Sequence, residues 1–315
     1  MSKVSVIVPS YNQASFISDC IKSILAQTKK AHEIIVVDDA STDNTTEVIK
    51  PYSTKIKFIA NRKNFGAYSF TTNIGIKQAT GDYILILAAD DWLASTMLEE
   101  ESAVLDKNPQ IALVYSQAFD VVNGEKILKM PKPAGKKSYL GRDGDFQLLL
   151  TKGDFIPSIN ALVRKSVYQK VGIFDTNLKY MVDYEMWIRI AKDYSLAYIA
   201  KPLTYYRVHG KNLHLNTDFQ ARNEFELKYI LEKYLTHKKI DDNLTETKKI
   251  AFYNYYWRVS TNAVSNRNFK KAYEFWLKAV KTYPKSIPTW QTAQPVYFLI
   301  REFLKKLSQK LKNNI

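Results

Sequence analysis

Cysteine is almost absent from this chain of 315 residues, since Cys20 is the only one. A single thiol excludes an internal disulfide and a zinc site built from several thiolates. Its neighbours Ile17, Ile21 and Ile24 fall on one helical face, so we expect a buried, inert thiol. No apolar run approaches the roughly 20 residues that a membrane-spanning helix needs, so we expect no transmembrane segment.

Several signatures of enzymes with alternating strands and helices are also missing. The chain has no G-x-G-x-x-G after its first strand, no G-x-x-x-x-G-K-[ST], no G-x-S-x-G and no H-E-x-x-H. A dehydrogenase, a P-loop kinase, an α/β-hydrolase and a zinc protease therefore lose their main support. The N-terminus has no basic segment followed by an apolar leader, because Val4–Val8 has only the length of a strand. We therefore expect a cytoplasmic protein.

Acidic residues are scarce beside basic ones, with 31 Asp and Glu against 46 Lys and Arg and a formal charge of +15 at pH 7. Residues 216–315 hold 19 of the basic residues and nine of the acidic ones. Basic surfaces attract nucleic acid, anionic lipid or acidic ligands, and composition alone does not choose among them. Nucleic-acid binding requires basic and aromatic residues on a common face. Here the basic excess lies beside an apolar helical stripe, so we expect no nucleic-acid partner.

Short apolar strands alternate with amphipathic helices over about the first ninety residues. The pattern predicts strands at Val4–Val8, Glu33–Val37, Ile56–Ala60 and Tyr83–Leu87, and helices at Phe16–Gln27 and Phe70–Ala79. This alternation predicts parallel pairing through right-handed crossovers, and hence an open, mostly parallel α/β sheet of the Rossmann-like kind. Ligands of such sheets bind outside the carboxyl ends of the strands.

The pattern is weaker in the next part of the chain. It predicts a strand at Ile111–Tyr115, a loop at Asn123–Gly144, a helix beginning at Asp145 and a helix at Asp183–Lys192. From about residue 216 onward the chain is helical in pattern and increasingly basic. We therefore predict two domains, residues 1–215 and residues 216–315.

One helical hairpin is suggested in the second predicted domain. Seven residues fall at spacings that resemble those of a tetratricopeptide unit: Tyr256, Val259, Ser260, Ala272, Trp276, Ala279 and Pro284. Any helical hairpin can show such spacings by chance. A single unit is too small to be stable alone. We expect it to pack on the first domain or on a second copy of the chain, so a homo-oligomer is one expectation.

The segment 296–311 has the pattern of a helix that lies on a membrane surface. One face is apolar and much of the remainder is basic, with Arg301, Lys305, Lys306 and Lys310. The alternative is an ordinary helix docked on the protein by its apolar face. Peripheral attachment to the inner face of the membrane would suit an enzyme whose acceptor is lipid-linked.

Carboxylates follow two of the predicted strands, as Asp38-Asp39 and Asp90-Asp91. The carboxyl ends of parallel strands share one edge, where Tyr11 also lies. Such an edge could hold a nucleotide, with Tyr11 stacked on the base and Asp39 bonded to the base or ribose. The later pair could hold Mg²⁺ or Mn²⁺ bridging a diphosphate, because these cations prefer oxygen ligands. The alternative for any one pair is a solvated turn, but the shared edge favours a binding site.

These residues resemble the family 2 glycosyltransferases, which have the GT-A fold. The resemblance covers roughly residues 1–215 and is carried, in the family's order and spacing, by Val4–Asn12, Glu33–Asp43, Asn64–Gly66, Asn73–Gly75 and Ala79–Ile84. It implies a GT-A catalytic domain with a helical C-terminal extension. It also implies an inverting, metal-dependent transfer from a nucleotide-sugar, most simply a UDP-sugar, to a glycan or lipid-linked acceptor in surface polysaccharide biosynthesis.

The resemblance also implies site residues. The nucleotide contacts would be Pro9, Tyr11, Asp39, Asn64 and Asp90, and the ligands of Mn²⁺ or Mg²⁺ would be Asp90, Asp91 and His209. Arg207 and Lys63 could contact phosphate, although a solvated charge is the alternative for Lys63. Asp183 would be the general base that takes the proton from the acceptor hydroxyl. Without the resemblance, Asp183 is only an acidic residue in the first turn of a helix, which the helix dipole favours.

Two residues depart from the family's pattern. Ala88 stands where the family usually has the first acid of Asp-x-Asp-Asp, and Val182 stands where Glu often precedes the base. These departures support an alternative, a weak or degenerate transferase that acts as a binding or scaffold protein. A nucleotidyltransferase is a further alternative, but it requires a Gly-rich basic loop that Pro9–Asn12 does not supply.

Overall fold

The computed structural model of the chain describes residues 2–129, 135–210, 212, 219–236 and 242–284. The chain forms two compact units, Met1–Phe219 and Gln220–Ile315. The predicted surface helix at 296–311 lies outside the described residues. Among the helices within these ranges, none is long and apolar enough to cross a membrane.

Four parallel strands make the first half of one open sheet, in the order β3-β2-β1-β4. They are β1 (Val4–Ser10), β2 (Glu33–Asp38), β3 (Lys57–Ala60) and β4 (Tyr83–Ile86). Every residue of β1 and β4 is buried, which is why these strands are mostly apolar in sequence. The connections contain α1 (Ile17–Leu25), α2 (Thr45–Ile49) and α3 (Tyr68–Gln78). The predicted α/β fold class is confirmed.

Helices α1 and α3 are fixed by close packing. The buried face of α1 is formed by Ile17, Cys20, Ile21 and Ile24, so the thiol is buried as predicted. In α3, a Cβ atom added to Gly75 would lie 2.3 Å from a side-chain methyl of Ile7. Only glycine therefore lets α3 approach β1 this closely.

The second half of the sheet mixes strand directions, and the order continues as β4-β9-β6-β10-β5. The strands are β5 (Trp92–Leu93), β6 (Ile111–Val122), β7 (Glu125–Lys129), β8 (Tyr139–Leu140), β9 (Leu162–Arg164) and β10 (Ser195–Val208). Strand β9 is antiparallel to both β4 and β6, whereas β6 and β10 are parallel. The helices are α4 (Met97–Lys107), α5 (Asp145–Lys152), α6 (Lys165–Val171) and α7 (Val182–Asp193).

Three elements differ from the expected pattern. Strand β6 continues to Val122 rather than ending at Tyr115, because β10 pairs with it as far as Val122 and β7 pairs with its last five residues. The Asn160 side-chain amide also donates to the carbonyl groups of Ser116 and Gln117, at 2.8 and 3.4 Å. The predicted loop at 123–144 contains β7 and β8. Strand β10 continues past Pro202, where an irregularity in its pairing with β6 accommodates the missing N–H.

The second unit contains α8 (Phe219–Leu235), α9 (Asp242–Ser265) and α10 (Phe269–Thr282). Helices α9 and α10 pack closely, and the Ser260 hydroxyl donates to the Ala272 carbonyl oxygen at 2.7 Å. Asn268 caps α10, since its side chain accepts the N–H of Lys271 at 3.1 Å. The likeness of this hairpin to a tetratricopeptide unit stays a prediction.

Candidate functional site

The ends of β1 and β2 lie side by side at one edge of the sheet. Ser10 pairs with Asp38, and the Asp39 N–H donates to the Ser10 carbonyl oxygen at 2.8 Å. Pro9 is buried beside Val37, while Tyr11 is 44% exposed. The sheet therefore brings Pro9, Tyr11 and Asp39 to the edge that the sequence predicted.

Asp39 is buried, and its carboxylate accepts hydrogen bonds from the loop that follows β3. The donors are the Asn61 side-chain amide at 2.9 Å and the backbone N–H groups of Phe65 and Gly66, at 3.0 and 3.3 Å. Asn64 and Lys63 lie exposed in this loop, and the Lys63 ammonium is 5.6 Å from the centre of the Phe65 ring. The carboxylate therefore shapes the loop that carries both predicted contacts.

The second carboxylate pair follows β4, the other neighbour of β1. Asp91 is almost fully buried, and one of its oxygens accepts the Arg207 N–H at 2.7 Å. The other oxygen is buried with no hydrogen-bond partner among the described residues. Burial, and then the like charge of Asp90, raise the pKa of Asp91 well above its ordinary range. A buried carboxylate with one unpartnered oxygen, beside a second carboxylate, is the arrangement that a cation relieves.

His209 lies beside the first carboxylate of this pair, because its Nε2 atom is 3.0 Å from an oxygen of Asp90. Its ring stacks on Phe16, with 4.7 Å between the ring centres. Asn212 holds the backbone that follows β10 in place. Its side chain accepts the His209 N–H at 2.6 Å and donates to the Arg207 carbonyl oxygen at 3.1 Å. Sequence reasoning did not single out Asn212. Its only sequence signal is an amide a few residues beyond Arg207.

The Arg207 side chain contacts groups of the protein. Its Nε atom donates to the Asp90 carbonyl oxygen at 3.0 Å, and a terminal nitrogen lies 3.2 Å from the Asp19 carboxylate. The guanidinium carbon is 5.0 Å from the centre of the Phe16 ring and 4.5 Å from that of Trp92. The structure thus brings Arg207 to the acidic pair.

The side chains around Asp90 and Asp91 can be compared with the ligands that a divalent cation requires. No group of three or more His, Cys, Asp or Glu side chains is arranged for a metal ion in the part of the chain described. Mg²⁺, however, is commonly bound by one or two carboxylates, with phosphate and water completing the shell. The unpartnered oxygen of Asp91 and the adjacent carboxylate of Asp90 fit that mode of binding.

Asp183 lies in a cavity of about 540 Å³ rather than on the sheet edge itself. It is the second residue of α7, and its carboxylate accepts the Tyr184 N–H at 2.8 Å. Burial raises the pKa of Asp183, against the lowering effect of the hydrogen bonds from Tyr184 and Ser158. The cavity wall also holds Ala118, Asp120, Lys129, Lys152, Asp154, Phe155, Ile156, Pro157, Ser158, Ile159 and Tyr206.

Asp154 is a second carboxylate in the wall of the same cavity, and sequence reasoning missed it. It follows α5 in a short loop, and its side chain accepts the Ile156 N–H at 3.2 Å. Desolvation of the carboxyl group by the cavity wall raises the pKa of Asp154, although the residue as a whole is exposed, and the like charge of Asp183 raises it further. No motif marks this residue, because its role depends on two loops that meet only in the fold.

Two tyrosines lie near both the cavity of Asp183 and the Asp90-Asp91 pair, which we call the acidic turn. Burial, and then the charges of Asp91 and Asp90, raise the pKa of Tyr206, which lines the cavity. Burial, and then the charge of Asp183, raise the pKa of Tyr68. Tyr206 is therefore within electrostatic range of Asp90 and Asp91, and Tyr68 is within electrostatic range of Asp183 and Asp91.

Sequence comparison identifies relatives of the chain. The family described as Glycosyl transferase family 2 matches residues 5–172. An uncharacterized glycosyltransferase of Rickettsia prowazekii is 30% identical over 224 residues, which are 71% of this chain and 69% of that protein. An uncharacterized glycosyltransferase of Methanocaldococcus jannaschii is 31% identical over 256 residues, which are 79% of this chain and 85% of that protein.

Solved structures share the fold at low identity. S. aureus TarS 1-349 superposes with a TM-score of 0.67 at 19% identity, over 91% of this chain and 81% of that one. The same protein was also solved with UDP-GlcNAc, with a TM-score of 0.59 at 16% identity, over 89% and 91%. The mannosyltransferase PcManGT from Pyrobaculum calidifontis, solved with GDP-Man and Mn²⁺, gives 0.58 at 17% identity, over 97% and 88%.

Proposed function

The chain belongs to the family 2 glycosyltransferases, and on that premise we propose that it is an inverting, metal-dependent enzyme that uses a nucleotide-sugar, with UDP as the nucleotide. The acceptor is a glycan or a lipid-linked sugar in surface polysaccharide biosynthesis. The donor class is supported by two structural neighbours, TarS solved with UDP-GlcNAc and PcManGT solved with GDP-Man and Mn²⁺.

One arrangement carries the proposal: the acidic turn and the cavity of Asp183 are separate and share Tyr206 as a neighbour. Inversion requires the acceptor hydroxyl and the leaving diphosphate to lie on opposite sides of the anomeric carbon. Two adjoining compartments, one acidic enough for a cation and one with a carboxylate base, meet that requirement.

On the donor side, Tyr11 stacks on the base and Asp39 acts chiefly through the loop that it holds, where Asn64 and Lys63 approach the nucleotide. Asp90 and Asp91 would hold Mn²⁺ or Mg²⁺, with His209 as a third ligand or as a partner of Asp90. The cation would offset the charge that develops on the departing diphosphate. Pro9 supports the floor of this site from its buried position in β1.

On the acceptor side, Asp183 takes the proton of the attacking hydroxyl. The bond from the acceptor oxygen to the anomeric carbon forms as the bond to the diphosphate oxygen breaks, and the proton ends on the Asp183 carboxylate. A raised pKa suits this role, because a base is most effective when its pKa approaches the working pH. Asp154 keeps a second acidic group within the same cavity.

Asp183→Asn tests the proposal, because it removes the base and preserves the shape of the side chain. We expect UDP binding with Mn²⁺ to be nearly unchanged and transfer to fall by about 10²–10⁴-fold, the usual contribution of a general base. Donor hydrolysis over a panel of UDP-sugars would first identify a usable donor. Asp193→Asn, at the exposed other end of α7, is the matched control and should retain transfer. Full turnover by the Asp183 variant would remove Asp183 from the base role.

The proposal extends to location, on the pattern of residues 296–311. These residues attach a cytoplasmic enzyme to the inner face of the membrane, near a lipid-linked acceptor. Deleting residues 295–315 should move the protein from the membrane fraction to the soluble fraction. Unchanged partitioning would contradict this part of the proposal.

A further inference from the structure

Arg207 contacts both residues of the acidic turn. Its Nε atom donates to the Asp90 carbonyl oxygen at 3.0 Å, and its backbone N–H donates to the Asp91 carboxylate at 2.7 Å. One residue of β10 thus fixes the backbone at the first acid and the side chain at the second.

The guanidinium also contacts two aromatic rings, those of Phe16 and Trp92, at 5.0 and 4.5 Å from the ring centres. Phe16 in turn stacks on the ring of His209. A planar guanidinium can stack on rings and donate in its own plane at the same time, which a lysine ammonium cannot do. The ion pair with Asp19 adds little, because the Asp19 side chain is 58% exposed.

We propose that Arg207 is a positioning residue that holds the Asp90-Asp91 turn and His209 in the geometry that binds the cation and diphosphate, and that it is not itself a phosphate ligand. This inference rests on the proposed function, since it concerns the donor site. It assigns to Arg207 a role different from the phosphate contact that the sequence suggested.

The two roles predict different effects on nucleotide binding. A phosphate ligand contributes to UDP binding whether or not a divalent cation is present. A residue that positions the acidic turn contributes only when the cation is present.

The experiment measures UDP binding to the full-length protein by calorimetry, once with Mn²⁺ and once with EDTA. For Arg207→Lys we expect the dissociation constant of UDP to be at least tenfold higher than that of the wild-type protein with Mn²⁺. In EDTA we expect the dissociation constant to change by less than about twofold. Equal losses in both conditions, or wild-type affinity in both, would overturn the inference. If the wild-type protein binds no UDP in either condition, the proposed function fails instead.

Arg164→Lys is the matched control for loss of a buried guanidinium. Arg164 donates to the carbonyl oxygens of Ile111, Leu105 and Asn108 and lies 5.3 Å from the centre of the Tyr83 ring, so it is bound in a similar way away from the acidic turn. It should lower thermal stability without a loss specific to Mn²⁺. A Mn²⁺-specific loss in this variant would assign the effect to general destabilisation.

Phe16→Leu supplies a second variant that leaves every charge in place. It removes the ring that contacts both Arg207 and His209. We expect about a threefold to tenfold loss of Mn²⁺ affinity, measured by electron paramagnetic resonance without nucleotide. Unchanged Mn²⁺ binding in both Phe16→Leu and Arg207→Lys would contradict the positioning role.

Discussion

Glu101→Gln is expected to raise the free energy of unfolding at neutral pH. Near pH 4 this gain from proton linkage should almost disappear. Glu101 lies in α4 with no exposed surface, and the Ser116 hydroxyl lies near its carboxylate without a hydrogen bond of good geometry, so its lowering effect on the pKa is smaller than the effect of burial. Burial raises its pKa well above the ordinary value, and the charge of Glu100 adds to this effect.

The magnitude follows from proton linkage. Because the pKa is raised in the folded state, the folded protein holds the proton more tightly, and its stability is full below the unfolded pKa of about 4.3. Above that value each pH unit removes about 1.4 kcal/mol until the folded pKa is reached. By pH 6.5 the wild-type protein can therefore lose up to about 3 kcal/mol that the neutral glutamine does not lose.

The assay is urea unfolding followed by circular dichroism at several pH values between about 4.5 and 7.5. Glu100→Gln is a control of opposite sign. Partial burial raises the pKa of Glu100, but the hydrogen bonds from Lys201 and Thr96 outweigh it and hold that pKa below its ordinary value. Its contribution is therefore present at neutral pH and lost as the solution is acidified. A difference between Glu101→Gln and wild type that stays constant with pH would refute the reasoning.

Three further predictions concern catalysis and packing. Burial raises the pKa of Asp183, and the base must be ionised to accept a proton. As the pH is lowered, kcat/KM should therefore begin to fall at a pH above about 3.9, the pKa of an ordinary aspartate. A profile that is flat down to pH 4 would contradict this. Chelation by EDTA should abolish transfer and Mn²⁺ or Mg²⁺ should restore it, whereas undiminished transfer in EDTA would exclude the metal role. Gly75→Ala forces a Cβ atom against Ile7 and should lower the free energy of unfolding by about 1–3 kcal/mol, measured by urea unfolding; an unchanged midpoint would show that α3 can shift.

The parallel half of the sheet was predictable because its strands carry their own signal. Strands buried on both faces are mostly apolar, and β1, β2 and β4 have such apolar stretches in the sequence. Their polar neighbours at the carboxyl ends were therefore predictable as one group, which explains why Asp39 and the acidic turn were found. The family itself followed from the order of these same segments.

The remaining elements depend on contacts between distant residues. Ser116 and Gln117 look like a strand end, but pairing with the distant strand β10, and then with β7, lets β6 continue. Desolvation in the cavity, and then the charge of Asp183, raise the pKa of Asp154, and no spacing in the sequence reveals either cause. The sequence marked Arg207 as a cation, but its contacts with two rings and a carbonyl group exist only after β10 has joined the sheet.

The place of β10 in the chain has a consequence for synthesis on the ribosome. Chains emerge from the N-terminus first, so β1 to β4 can pair while the segment with Arg207 and His209 is still untranslated. The hydrogen bonds from Arg207 to Asp90 and Asp91 span more than a hundred residues of sequence. A nascent chain would therefore carry an assembled parallel sheet with an unfinished acidic turn, and competence to capture a donor would arise late, when β10 is inserted beside β6 and β5.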